Sequence, residues 1–177
     1  MQITEFSNLF RTFRRSAFRL EALPKYTVDQ EADRLSQYLA GQPLPTDPNN
    51  AWCELVRTGI EAGKKFTRVH VLPEPLTPYL RFEIDWGYLY NATAGEDIRL
   101  LLPTAPAELM RDAHSDYWIF DDEIVVAMDY DDQQRFVGPR NESAGLAAYT
   151  TLRDRLLDHA VPLQSYLAEA RNRRQTP

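Results

Sequence analysis

The stretch from Asp116 to Tyr130 constrains the chain more than any other. Two runs, Tyr117 to Phe120 and Ile124 to Met128, are apolar, aromatic or β-branched, and Asp121-Asp122-Glu123 separates them. Such runs, bounded by turn-forming residues, predict a β-hairpin. Asp121 and Asp122 suit the turn because a short carboxylate bonds nearby backbone and tolerates unusual dihedrals. The second run has no polar position, so both of its faces should be covered, as in a central strand with helices on either side. Phe120 and Val126 are therefore expected in the core.

The remaining elements are arranged around that hairpin. Ile3, Phe6, Leu9, Phe10 and Phe13 recur on one face of a helix. Residues 16–21 are either a short strand or another turn, stopped by Pro24. Thr27 and Gln30 have capping-box spacing for a helix to about Ala40. Pro43, Pro45 and Pro48 then mark a loop. The expected division is an N-terminal helical extension, residues 1–45, and an α/β domain, residues 46–177. In that domain a helix begins after Asn50, and a strand runs from Phe66 to Leu72. Within the strand Val69 and Val71 face one way, Arg68 and His70 the other. Leu76, Tyr79, Leu80, Glu83, Trp86 and Tyr90 have helical spacing. Ile98 to Leu102 is a short strand, Ala105 to Arg111 a short helix, and Arg135 to Gly138 a last strand before the closing helices. The predicted class is α/β, a small mixed sheet flanked by helices.

At 177 residues with net charge -6, the chain suits one main domain and does not favour direct nucleic-acid binding. A single cysteine excludes an internal disulfide and a cysteine-rich zinc site. No apolar run approaches the roughly 20 residues a membrane span requires. The expected setting is cytoplasmic.

Four phrases of the chain resemble a known family. They are Arg19-Leu20-Glu21 with Tyr26; Arg68-Val69-His70-Val71 with Pro75 and Tyr79-Leu80-Arg81-Phe82-Glu83; Ala94-Gly95-Glu96-Asp97-Ile98-Arg99; and Trp118-Ile119-Phe120-Asp121-Asp122 through Tyr130-Asp131. The family is an uncharacterised actinobacterial one, domain of unknown function six-eight-seven-nine. Its members are typically encoded beside helix-turn-helix regulators and small partner proteins. The resemblance therefore implies a regulatory or toxin–antitoxin-like setting. The order of elements is also similar to one half of the phospholipase D-like fold.

Phospholipase D-type chemistry needs a His-x-Lys pair, in which His attacks phosphorus and Lys neutralises phosphate oxygen. His70 is followed by Val71-Leu72, His114 by Ser115-Asp116 and His159 by Ala160-Val161, so none supplies the lysine. Arg68, His70, Glu96, Arg99 and Asp121 are the candidate ligand-binding cleft, with arginines suited to an anion. Each also has a plain structural reading: a half-buried histidine bonded to a neighbour, strand-entry caps, ion pairs. Asp121, Asp122, Glu123, Asp129, Asp131 and Asp132 lack the spacing of a calcium loop and fit solvated turns. Neither a metal nor a cofactor is expected.

Phe6, Phe10, Arg11, Phe13, Arg14 and Arg15 are the candidate interface, since aromatics beside arginines are the composition of interface anchors. The alternative is that the helix packs on its own domain. The function expected is a non-enzymatic regulatory or interaction protein, with a helix-turn-helix regulator or a second copy as partner. The alternatives are an enzyme or toxin acting on a phosphorylated substrate such as a nucleotide, and a small-molecule sensor.

Overall fold

In the computed structural model the described residues are 1–46 and 50–175, with side chains described to residue 172. One mixed sheet of seven strands organises them, in the order β6-β5-β4-β1-β2-β3-β7. The strands are β1 (Ser16–Glu21), β2 (Lys65–Val71), β3 (Asp97–Leu101), β4 (Tyr117–Phe120), β5 (Ile124–Tyr130), β6 (Phe136–Asn141) and β7 (Val161–Pro162). β1, β2 and β3 are parallel, and every other pairing is antiparallel.

The hairpin forms as its composition predicts. Phe120 and Glu123 close a turn whose central residues Asp121 and Asp122 both have positive φ, 57° and 59°. Phe120 and Val126 are buried. β5 is not the middle of the sheet, however. It lies one strand from the edge, because β6 pairs along its outer side. Its unbroken apolar run is explained by its two covered faces: Val125 packs in one core and Val126 in another.

The middle strand is β1, between β4 and β2. The first 45 residues are therefore not a helical appendage, since a division there would part β1 from both its neighbours. Part of the proline loop, residues 47–49 with Pro48, lies outside the described residues.

Side-chain alternation gives the sheet two unlike faces. Phe18, Leu20, Val69, Val71, Leu101, Tyr117, Ile119 and Val125 share one apolar core with Leu109 and Leu156. Those two belong to α6 (Ala107–Asp112) and α7 (Leu146–His159). The opposite face carries Ala17, Phe66, Trp118, Phe120 and Val126 at one end, under α1 (Ile3–Thr12) and α3 (Ala51–Glu61). Ile98 and Leu100 lie at the other end, among residues of α4 (Pro78–Phe82), α5 (Tyr88–Ala94) and α8 (Leu163–Gln175). Between these apolar ends the same face carries Arg19, Glu21, Arg68 and His70.

α4 and α5 are joined through Glu83–Gly87 by one π-helical turn, so residues 78–94 form a single interrupted helix. Asn50 caps α3 by accepting from the Trp52 N–H at 2.9 Å. The Thr27 capping box does not form. The Thr27 hydroxyl donates instead to the Gln133 carbonyl at 2.8 Å, and α2 begins only at Ala32 (Ala32–Leu39). A tertiary partner outcompetes a local cap there.

Candidate functional site

Two arginines stand side by side in the middle of the sheet, because Arg19 of β1 is in register with Arg68 of β2. Both are buried. Guanidinium groups are not left in a dry interior without counter-charge. Three carboxylates supply it. The Arg19 Nη2 lies 2.6 Å from Asp116 Oδ2, and its Nε 3.6 Å from Glu21 Oε1. Arg68 donates from Nη1 to Glu21 at 2.7 Å and from Nε to Glu96 at 2.8 Å. The result is an alternating row across the sheet: Asp116, Arg19, Glu21, Arg68, Glu96. Burial alone would raise the Glu21 carboxyl, but the Arg68 charge, the hydrogen bond with His70 and the Arg19 charge hold it well below the ordinary carboxylate range.

Aromatic groups complete the network. The Tyr26 hydroxyl donates to Asp116 at 2.7 Å, and the Trp52 indole donates to Glu96 at 2.8 Å. The Tyr88 hydroxyl donates to Glu21 at 2.9 Å and also meets His70 Nδ1. The other His70 nitrogen is 3.1 Å from the Leu23 carbonyl, which only accepts, so Nε2 carries a hydrogen. Arg19 Nη1 has no hydrogen-bond acceptor among the described residues, and its guanidinium lies 5.5 Å from the centre of the Trp118 ring.

The network is the floor of a cavity of about 340 Å³. Arg19, Glu21 and Arg68 reach it from below, and Glu31 and Arg34 from one side. Its walls are aromatic: Tyr26, Trp52, Tyr79, Trp86, Tyr90 and Tyr130 among them. Glu83 projects from the π-helical turn. It accepts no hydrogen bond and makes no ion pair among the described residues, and its carboxylate fills the space beside Gly87. A Cβ there would lie 2.9 and 3.0 Å from the two carboxylate oxygens. Burial raises the Glu83 carboxyl well above its ordinary range, and the charges of Glu31 and Glu21 add to the effect. Burial raises Glu31 as well, although the Tyr79 hydroxyl donates to it at 2.9 Å.

Three residues of the expected cleft, Arg68, His70 and Glu96, do come together. Arg68 alone lines the cavity; His70 and Glu96 are buried beneath it. Arg99 is on the opposite sheet face, in register with Val69, and pairs with Asp97 at 3.0 Å. Asp121 is at the far end of β1. Its carboxylate accepts from the Arg14, Arg15 and Ser16 backbone N–H groups at 2.7, 2.6 and 3.0 Å. Those bonds hold its carboxyl below the ordinary range against the opposing effect of burial.

The expected interface is otherwise occupied. Phe6 and Phe13 are buried, and Phe10 packs edge-on against Trp52, Trp118 and Phe120. Arg11 is exposed and donates to Asn8, while Arg14 and Arg15 pair with Glu123 on the surface. Arg19, four residues after Arg15, is buried in the network instead.

Sequence reasoning passed over Asp116, Tyr88, Glu31 and the unpaired state of Glu83. One signal was available for Arg19 and Glu21. They occupy alternate positions of a strand, flanking apolar Leu20, as Arg68 and His70 flank Val69 in β2. The acidic set around the hairpin is spent on turns and surface pairs, with Asp122 meeting Arg153, Asp129 meeting Arg140, and Asp131 accepting from Gln133 and Arg135.

Fold and site together define an α/β domain whose sheet carries a buried ion network beneath a small aromatic cavity. Residues 4–168 match DUF6879, a domain of unknown function, and the chain belongs to that family. No curated protein matches it.

Proposed function

We propose that this chain is a non-enzymatic regulatory domain that binds a small molecule in the cavity over β1 and β2. One observation carries this reading. The cavity is lined for binding, but the cationic groups and the histidine that phosphoryl chemistry would use are already committed. Both His70 ring nitrogens are engaged and the ring is outside the cavity lining. Arg68 is held between two carboxylates, and Arg99, on the other face, cannot join it at a phosphate. Phosphoryl chemistry needs free, converging cationic groups. A concave site that joins aromatic surface to fixed polar groups is a usual form of ligand pocket, and eight of the 21 lining residues here are aromatic.

The family resemblance supplies the partner class, a helix-turn-helix regulator in the cytoplasm, whose association the ligand would control. No helix of the described residues is long and apolar enough to cross a membrane. The test is thermal melting of the full chain against a broad metabolite panel. A ligand that binds only the native state adds about 2.7 kcal/mol at 100 times its Kd, which appears as a raised melting temperature. Hydrolysis of a phosphodiester or nucleotide, lost in a folded His70→Ala variant, would replace this reading with an enzymatic one.

A further inference from the structure

Three facts about the cavity limit what it accepts, and the inference drawn from them rests on the small-molecule reading above. The first is charge. Arg19 and Arg68 face the cavity, but Asp116, Glu21 and Glu96 outnumber them in the floor. Arg34, the third guanidinium of the lining, is engaged as well. Two further carboxyl groups, Glu31 and Glu83, reach the same space. An anion would enter a site whose positive charge is already neutralised.

The second fact is Glu83. The Glu83 carboxylate is half-buried in the cavity wall and takes no donor from the described residues, so it is open to a donor that enters the cavity. The backbone is shaped to accommodate it. The helix is interrupted by a π-helical turn at this position, and Gly87 leaves open the volume that the carboxylate occupies. Turns of this kind often mark functional sites in helices. The third fact is the walls. Trp52, Trp86, Tyr79 and Tyr90 present ring surfaces, whose negative faces attract cations and whose area stacks on flat or aliphatic bodies.

We propose that the cavity takes a small organic cation that donates hydrogen bonds, an amine, amidine or guanidine on an aromatic or aliphatic body, with the Glu83 carboxylate as its counter-ion. A single cation answers all three facts. It meets a site whose lining and floor together hold five carboxyl groups against three guanidinium groups, it supplies donors that Glu83 does not receive from the protein, and its body replaces water against the rings. The cavity volume sits at the small end of the usual range for ligand sites, so the molecule is compact. The raised Glu83 carboxyl agrees with this, because an adjacent ammonium favours the ionised form that burial now penalises.

The test is isothermal calorimetry and thermal melting of the full chain with four probes of one shape class. Phenethylamine and benzamidine are the cations, 2-phenylethanol the neutral probe and phenylacetate the anion. The cations are expected to bind and to raise the melting temperature, with the alcohol and the carboxylate weaker by about tenfold or more. Glu83→Gln should remove most of that preference. Gly87→Ala is the second variant. It keeps the charge but puts a methyl group where the carboxylate lies, so it should also weaken the cations while the protein stays folded. If phenylacetate binds in preference, or if Glu83→Gln binds the cations as well as the parent, the cation inference fails and the pocket reading stands. If none of the four probes binds and the broad panel gives no hit, both fail.

Discussion

Arg68 holds two carboxylates that would otherwise be buried charges without a counter-ion. Replacing it with methionine keeps most of the volume and strands Glu21 and Glu96. Removing one side of a buried ion pair costs about 3–5 kcal/mol, so Arg68→Met should lose stability on that scale in urea denaturation. A loss under about 1 kcal/mol would mean that the network contributes little to folding. Glu83 and Glu21 respond to pH in opposite senses. The fold raises the Glu83 carboxyl, so its protonated form is favoured. Its stability is full below the unfolded value of about 4.3 and is lost as pH rises towards the folded value. Glu83→Gln removes that loss, so the variant should be no more stable than the parent near pH 4 and more stable by pH 8. Glu21 lies below its ordinary value. Its stability is present above the unfolded pKa and falls away as pH drops through the folded one. Denaturation at three pH values separates the two effects. Arg68 and Glu96 were legible as a cluster because each is a charge on an apolar strand or at its start. Glu83 was not, because its isolation depends on what the rest of the cavity fails to offer.

Elements were legible where the pattern is local. The helical spacing of Leu76 to Tyr90 and the Asn50 cap needed nothing from the rest of the chain, and both are found. One reading failed where a distant partner decides: Thr27 abandons its cap for the loop after β5. The phenylalanine stripe of α1 packs on the chain's own Trp118 and Phe120. Deleting residues 1–25 would therefore remove β1 as well as α1 and could not yield a folded remainder. Close packing also sets element positions. On α3, Gly59 lies so near β2 that a Cβ would stand 2.5 Å from the Phe66 ring. Gly59→Ala should cost about 1–3 kcal/mol by overpacking, despite the better helix propensity of alanine. A variant that melts like the parent would show that Phe66 moves aside freely.

Across the whole molecule the class of fold was legible and the order of strands was not. Alternation and turn signals identify strands, but nothing in residues 16–21 says that they lie between β2 and β4, which come far later in the chain. The pairing also divides the work unevenly along the sequence. Everything up to Leu101 builds three adjacent parallel strands whose two outer edges are bare. The C-terminal residues supply β4 against one edge and β7 against the other. The second part grips the first from both sides, like a clasp. Pieces 1–104 and 105–177, made separately, should each be poorly soluble and should recombine when refolded together, which gel filtration and circular dichroism would report. A cell holding such a pair would have a reporter of proximity, assembled only where the two halves of one sheet are brought within reach of each other.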